Sequence, residues 1–167
     1  SRLLRETTIK IYNLDKINYA SNFKVFRKYV DSNQYNLIKV DLFNIENTQK
    51  AIKFINPDLV FHLAAESHVD KSISNPRDFL DSNIIGTFNL LQALLAHWEL
   101  MSKDRKNNFR LIHVSTDEVF GSIKEGFFFS EQTPYNPKSP YSASKAGSDH
   151  LVKAWNNTYG FPAIITN

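Results

Sequence analysis

The chain has 167 residues, 42% of them apolar, which is enough for one globular domain and too short for two comfortable ones. Its net charge is only +3 and its Lys and Arg residues are dispersed, so nucleic acid is not an expected partner, whereas an anionic small molecule is. Cysteine is absent, which excludes disulfides, thiolate zinc sites and cysteine nucleophiles. No signal-peptide pattern or uninterrupted apolar stretch suggests a membrane, and a soluble, cytoplasmic protein is predicted.

Five short runs rich in β-branched or aromatic residues are predicted to be strands: 8–14, 36–40, 58–64, 109–115 and 162–166. Helical spacing predicts a helix over 45–55, a second over 75–101 with Asn75 as its N-cap, and a third over about 139–159 that stops at Gly160. Strands that alternate with helices in this way indicate βαβ units and a doubly wound parallel α/β sheet.

Two further expectations concern packing. The helix over 75–101 should bury a broad apolar face made of Phe79, Leu80, Ile84, Phe88, Leu91, Ala93, Leu94 and Leu95. The cluster Phe127-Phe128-Phe129 falls in the loop over 121–140, where it either plugs the core beneath the loop or lines a pocket, and plugging is favoured.

Polar residues follow the predicted strands, at the edge where open parallel sheets bind their ligands. They are Asp15, Asp41, 64–68 and 115–118. A carboxylate after an early strand is the expected partner of a dinucleotide ribose, and because no arginine follows Asp15, NAD is favoured over NADP. A simple turn or N-cap role explains Asp15 equally well when it is considered alone.

Tyr141 and Lys145 lie four residues apart on the third predicted helix and therefore share a face. An ammonium beside the phenol, together with a positively charged nicotinamide, should lower the pKa of the tyrosine, which would then take a proton from an alcohol as hydride leaves its carbon. The spacing is also common on solvated surface helices, so by itself it does not decide between the two interpretations.

The context of this pair resembles the active site of the extended short-chain dehydrogenase/reductase superfamily. More narrowly, the segment 113–121 (HVSTDEVFG) resembles the signature of the dTDP-glucose 4,6-dehydratases, with Phe120 in place of their usual tyrosine. The segments 15–20, 63–70 and 141–151 resemble the same enzymes in the same order, so that the resemblance covers nearly the whole chain.

The resemblance implies that residues 1–167 form a partial, NAD-binding Rossmann domain that acts on a nucleotide sugar. It implies that Tyr141 removes the proton of the C4 hydroxyl with Lys145 beside it, that Thr116 bonds the C4 oxygen, that Glu118 is the base at C5 and that Asp117 is the acid at C6. The implied NAD contacts are Asp15, Lys16, Ile17, Asn18, Asp41, Leu42, Leu63, Ala64, Ala65, Ser67, Ser82, Tyr141 and Lys145. Ser67 and Thr116 would contact the substrate, and the full-length relative would be a homodimer.

The adjacent Thr116, Asp117 and Glu118 also fit a helix N-cap with an acidic first turn. His62 and His68 have no further ligand at metal-binding spacing, so no metal is expected.

The family's glycine-rich phosphate loop has no counterpart here, because the five glycines are dispersed. The sequence also begins without methionine and ends after an apolar run, which predicts a fragment lacking the first strand and the C-terminal substrate region. A gap in the sheet should follow, between the first and third predicted strands. Three interpretations stay open at this point: a fragment of a dTDP-glucose 4,6-dehydratase, a non-catalytic remnant of one, and a UDP-glucose 4,6-dehydratase.

Overall fold

The computed structural model describes residues 2–18, 21, 29, 33–123, 125–126 and 128–167. In this part of the chain the strands are parallel and overlap all five predicted runs, which confirms the α/β class. They are β1 (Ile11–Asp15), β2 (Tyr35–Lys39), β3 (Leu59–His62), β4 (Arg110–Val114) and β5 (Ala163–Thr166).

The strands form two hydrogen-bonded groups. In one, β1 pairs with β2, with Ile11 opposite Tyr35. In the other, β4 lies between β3 and β5, with Leu111 opposite both Val60 and Ala163. Over the described residues no ladder joins β1 to β3, which is where the sequence predicts a gap. Leu59 and Phe61 on β3 are each 51% exposed.

In the described part of the chain, helices precede β1 and connect β2 to β3, β3 to β4 and β4 to β5, and several of them are short. The helical elements are α1 (Arg2–Glu6), α2 (Ile45–Ile55), α3 (Val69–Ser74), α4 (Pro76–Phe79), a π-helical segment (Leu80–Ile85), α5 (Gly86–Glu99), α6 (Lys103–Asn108), a 3₁₀ turn (Asp117–Phe120) and α7 (Pro140–Tyr159). In the described segments, no helix combines the length and apolarity needed to cross a bilayer.

The ends of α7 match the sequence prediction because they depend on local chemistry. Ser139 and Ser142 form a reciprocal capping box at its N-terminus. Gly160 ends the helix in the left-handed conformation, with φ 65°. These two signals place Tyr141 in the first turn of a well-defined helix.

The single helix predicted over 75–101 is wrong in detail. It begins as the separate turn α4, and the Asn75 side chain makes no cap hydrogen bond but donates to Asp78 at 2.6 Å. The π-helical segment adds a residue to one turn, which rotates the following face by about 100°. A 3.6-residue pattern extended across it therefore misassigns residues: Leu80 and Phe88 are 46% and 36% exposed. The polar stretch after α5 contains a further short helix, α6.

The core lies where α5 and α7 pack against β4. Leu91, Leu94, Phe109 and Phe161 are fully buried within it. The ring centroids of Phe109 and Phe161 are 5.7 Å apart, and α2 closes the core through Ile52. This packing holds α7 across the carboxyl end of β4.

The phenylalanine cluster was predicted to plug the core, and this is wrong for Phe128, which is 92% exposed. Phe129 does pack, with its ring 5.2 Å from that of Phe120, which in turn lies 5.3 Å from Tyr135. Phe127 lies outside the described residues. One phenylalanine thus anchors the loop to the 3₁₀ turn.

Candidate active site

Tyr141 and Lys145 are both buried on the face of α7 that meets β4, at 9% and 5% exposure. The Nζ of Lys145 donates to the backbone oxygen of Val114, the last residue of β4, at 2.7 Å. The Tyr141 ring packs edge-on against Phe79, with centroids 6.3 Å apart. The solvated-face interpretation of this pair is therefore wrong.

The sequence predicts that Lys145 and a positively charged nicotinamide together lower the pKa of Tyr141. The residues of the chain by themselves shift this pKa in the other direction. Burial raises the pKa of Tyr141, and the negative charges of Glu118, Asp117 and Asp149 raise it further, while a hydrogen bond with Thr116 opposes them. Burial also lowers the pKa of Lys145, against the attraction of Asp149. Sequence spacing cannot show this, because both effects depend on burial and on carboxylates from other turns and elements.

Thr116, Asp117 and Glu118 leave the end of β4 and enter the 3₁₀ turn. Thr116 does cap this turn, since its Oγ1 accepts from the Glu118 backbone nitrogen at 3.3 Å. The side chains of Asp117 and Glu118 are exposed, and both carboxylates influence Tyr141. The N-cap interpretation and the active-site interpretation therefore apply to the same residues.

The first candidate cofactor segment, Asp15 to Asn18, forms a tight turn after β1. One carboxylate oxygen of Asp15 accepts from the Ile17 backbone nitrogen at 2.6 Å and from Ser21 Oγ at 3.0 Å. Asp15 therefore stabilises a local turn, as one of its two sequence interpretations proposed. Ile17 has φ 58°, an unusual conformation for a β-branched residue. Lys16 forms an ion pair with Glu66 at 2.5 Å, which connects the end of β1 to the segment after β3.

The remaining candidate cofactor residues follow β2 and β3 or precede α5. Asp41 caps a local turn by accepting from the Phe43 backbone at 2.9 Å, and the Leu42 carbonyl accepts from Asn89 at 2.9 Å. The segment after β3 is open to solvent: Leu63 is 69% exposed, Ala64 and Ser67 are exposed, and Ala65 is half-buried. Ser82 is half-buried in the π-helical segment.

Asn83, which the sequence patterns did not identify, is 1% exposed in the π-helical segment. Its side chain accepts from the Glu66 backbone nitrogen at 2.8 Å and donates to the Glu66 carbonyl at 2.9 Å. It also donates to Ser144 Oγ on α7 at 2.9 Å. Asn83 thus fixes the open segment after β3 relative to the Tyr141 helix, and the only sequence signal was a polar residue beside Ser82 in an apolar helix.

Asp149, which the sequence patterns did not identify, is a fully buried carboxylate two turns after Tyr141 on α7. It accepts from Ser115 at 2.6 Å, from Tyr135 at 2.9 Å and from His113 Nε2 at 3.1 Å. The signal that could have found it is its spacing from Lys145, which places both residues on the inner face of the helix.

The two buried histidines, His62 and His113, pack with ring centroids 5.0 Å apart. His62 Nε2 donates to Thr87 Oγ1 at 2.9 Å, because the hydroxyl of Thr87 donates to the Asn83 carbonyl. Burial, His113 and Lys145 hold the pKa of His62 well below 6.5. Over the described residues, no group of three or more His, Cys, Asp and Glu is arranged to hold a metal ion.

The comparison with protein families covers the whole chain. A family model described as GDP-mannose 4,6 dehydratase matches residues 1–167. The chain belongs to this family. The membership agrees with the resemblance in the sequence, which also runs from the β1 turn to the Tyr141 helix.

Several curated relatives of the chain are dTDP-glucose 4,6-dehydratases. The chain is 46% identical to the dTDP-glucose 4,6-dehydratase of Haemophilus influenzae over 167 residues. It is 43% identical to that of Salmonella typhimurium over 174 residues. Each alignment covers 99% of the chain but only 49% and 48% of the relatives. The chain therefore spans about half the length of the curated relatives it matches.

A solved dTDP-glucose 4,6-dehydratase from Streptomyces venezuelae, with NAD and TYD bound, superimposes with a TM-score of 0.85. It is 33% identical, and the match covers 98% of the chain and 49% of that protein. The Rossmann-type architecture predicted from the sequence is thus confirmed.

Proposed function

We propose that the protein to which this chain belongs converts dTDP-glucose to dTDP-4-keto-6-deoxyglucose, using NAD as a cofactor that is regenerated in each cycle. The observation that carries the proposal is the meeting of two elements: Thr116, Asp117 and Glu118 from the end of β4, and Tyr141 from α7. At the carboxyl edge of the sheet, Thr116 forms a hydrogen bond with Tyr141, and the negative charges of Asp117 and Glu118 act on the same phenol.

The residues at this edge fit the two ends of a dinucleotide. Asp15 offers a carboxylate at the end of β1, the segment 63–65 offers backbone groups, and Lys145 offers a cation beside Tyr141. When bound, NAD would accept a hydride from C4 of the sugar and return it to C6. We assign Asp15 to Asn18, Asp41, Leu42, Leu63 to Ala65, Ser67, Ser82, Tyr141 and Lys145 to its binding, with Ser67 also contacting the substrate.

Tyr141 is proposed to take the proton from the C4 hydroxyl. Since burial and three carboxylates raise the pKa of Tyr141, its phenolate needs both the Thr116 hydrogen bond and positive charge nearby. Lys145 supplies one such charge from the same helix face, and its bond to the Val114 carbonyl fixes where that charge lies. Thr116 has one hydroxyl hydrogen, which it can donate to the phenolate before the proton transfer and to the C4 oxygen afterwards.

Asp117 and Glu118 are proposed to carry out the elimination. Once C4 is a ketone, the C5 proton is acidic, so a carboxylate can remove it while a carboxylic acid protonates the departing C6 hydroxyl. Glu118 is assigned to the base at C5 and Asp117 to the acid at C6. Water is the only net product besides the keto sugar, because the hydride returns.

The complete protein is proposed to be a cytoplasmic homodimer that takes a nucleotide sugar as its substrate. A surface that suits a second copy lies where α5 and α7 run side by side. Ile85, Phe88 and Tyr159 are 39%, 36% and 49% exposed there, and Phe88 packs edge-on against Trp155. Light scattering of the full-length protein with Phe88→Asp would test this assignment, and an unchanged dimer mass would exclude the surface.

The activity is tested in the full-length protein with dTDP-glucose, UDP-glucose and GDP-mannose in parallel. Glu118→Gln should still reduce bound NAD, seen as NADH absorbance, but should form no 6-deoxy product, because its carboxylate acts after C4 oxidation. Glu125→Gln, at an exposed glutamate, is the matched control.

Tyr141→Phe should slow the oxidation itself by about a hundredfold or more. Normal product formation by Glu118→Gln, or turnover of none of the three sugars by the wild type, would refute the proposal. Turnover of UDP-glucose alone would reassign the nucleotide.

A further inference from the structure

We propose that Asp149 is a positioning residue of this site, which acts together with Lys145 as a two-point clamp between α7 and the end of β4. The clamp consists of Asp149 with Ser115 and Lys145 with Val114. Its consequence for catalysis rests on the proposed function, whereas the clamp itself rests on the geometry alone.

The first observation is the complete burial of the Asp149 carboxylate among donors from three elements. Ser115 Oγ donates at 2.6 Å from the end of β4, Tyr135 OH at 2.9 Å from the loop before α7, and His113 Nε2 at 3.1 Å from within β4. A buried carboxylate is costly unless it is hydrogen-bonded in this way. Asp149 is therefore the common acceptor that joins the strand, the loop and the helix.

The second observation is that the two residues held by α7, Val114 and Ser115, are consecutive in the chain. Lys145 donates to the carbonyl of Val114 at 2.7 Å, and Asp149 binds the side chain of Ser115, the next residue. Lys145 and Asp149 are one helical turn apart, so α7 holds two consecutive residues of the chain. Thr116 comes directly after them, and its position relative to Tyr141 is set by this clamp.

The third observation is electrostatic. Burial alone would raise the pKa of Asp149, but the bonds from His113, Ser115 and Tyr135 hold it below its usual range, so the group is an anion at neutral pH. Its charge attracts Lys145 and opposes the desolvation that lowers the pKa of that lysine. Asp149 thus helps to keep the ammonium of the clamp charged.

Charged and titratable groups on α7, β4, β3 and the preceding loop surround Asp149. From α7 it faces Lys145 and Tyr141, and from β4 it faces His113, with His62 on β3 behind it. Tyr135, on the loop, is contacted in turn by Lys153 and His150. Burial and the charge of Asp149 raise the pKa of Tyr135, so it remains a neutral donor.

The test uses the chain with ¹³C-labelled lysine ε-carbons, and NMR follows the titration of Lys145. Lys145→Arg assigns the signal, and the exposed Lys103 serves as an internal reference. Asp149→Asn should lower the pKa of Lys145 and leave Lys103 unchanged. Titration of Lys145 at the wild-type pH in a folded Asp149→Asn variant would overturn the electrostatic part of the proposal.

A second measurement covers the possibility that Asp149→Asn does not fold. Ser115→Ala keeps the carboxylate and removes one arm of the clamp. Hydrogen exchange at the backbone amides of residues 115–118 should become about tenfold faster, the loss expected for one hydrogen bond to a charged group. Ser130→Ala, in an exposed loop, is the control. Unchanged exchange at 115–118 would overturn the positional part.

Neither readout uses a sugar or NAD, so the clamp and the proposed function can fail separately. In the active full-length protein, Asp149→Asn should also move the pH dependence of C4 oxidation to lower pH, because the negative charge of Asp149 raises the pKa of Tyr141. A rate that falls equally at every pH would show a structural role only and would contradict the proposal.

Discussion

Asn83 offers the sharpest test of how the site is held together, because its three hydrogen bonds have defined directions. Its oxygen accepts from the Glu66 nitrogen, and its nitrogen donates to the Glu66 carbonyl and to Ser144 Oγ. Each neutral hydrogen bond contributes about 1 kcal/mol, so Asn83→Ala should cost about 3 kcal/mol. In a chain of this length this corresponds to a fall in Tm of roughly 6–12 °C.

Asn83→Asp has nearly the same shape and separates hydrogen bonding from packing. Ser144 Oγ donates its own hydrogen to the Tyr141 carbonyl at 2.7 Å, so the introduced carboxylate would meet two acceptor oxygens where the amide donated. At neutral pH the loss should therefore equal or exceed that of Asn83→Ala. Protonation restores one donor, so the free energy of unfolding of Asn83→Asp, relative to Asn83→Ala, should rise as the pH falls.

Urea unfolding followed by circular dichroism at several pH values measures both effects. Asn157→Ala, at an exposed position of α7, is the control and should change the free energy of unfolding by less than about 0.5 kcal/mol. Wild-type stability of Asn83→Asp at neutral pH would show that the two donated bonds contribute nothing, and the role given to Asn83 would be wrong.

Three further predictions use simpler measurements. Gly121→Ala should lower the free energy of unfolding by about 1–3 kcal/mol in the same assay, since φ is 88° and a Cβ would lie 2.4 Å from the Asn136 carbonyl; a neutral result would contradict the loop geometry. Because the folded-state pKa of His62 lies well below 6.5, the unfolded chain binds the proton first, and stability should be lost as the pH falls from about 6.5 toward that lowered value. His62→Gln should weaken this loss of stability, and His68→Gln, at an exposed histidine, should not. If His62→Gln lost stability in acid as strongly as the wild type, His62 would not be the group responsible. By calorimetry, the 167-residue chain should bind NAD at least about a hundredfold more weakly than the Salmonella typhimurium enzyme, since it has no glycine-rich phosphate loop; equal affinity would refute this.

The sequence predicts most of the architecture because the relevant signals are local. The β-branched runs mark the strands, and Ser139 and Gly160 mark the ends of α7 through their own side-chain and backbone preferences. No local signal in the sequence marks the π-helical segment, and the bonds of its Asn83 are made with Glu66 and Ser144, residues far away in the chain.

In the candidate site, too, local features could be predicted from the sequence, whereas features that depend on contacts between distant residues could not. Tyr141 and Lys145 could be found from their spacing, and the 113–121 segment from its resemblance to known enzymes. The direction of the Tyr141 pKa shift could not be predicted, because burial and the charge of Asp149 arise only when α7 packs on β4. The spacing of Asp149 from Lys145 places it on the inner face of α7, but spacing does not show its partners, Ser115 and Tyr135, on which its importance depends.

The separation of the strands into two hydrogen-bonded groups has a consequence for cooperativity. In the described part of the chain, β1 and β2 are coupled to the other strands by helix packing and by side chains, such as the Lys16–Glu66 ion pair and the bonds from Asn89 to Leu42 and Phe43. Contacts of this kind weaken individually with salt or with a single substitution, whereas a backbone ladder does not. The N-terminal strand pair therefore forms the unit expected to open first, while the β3–β4–β5 group, which carries the Tyr141 helix, sets the global stability.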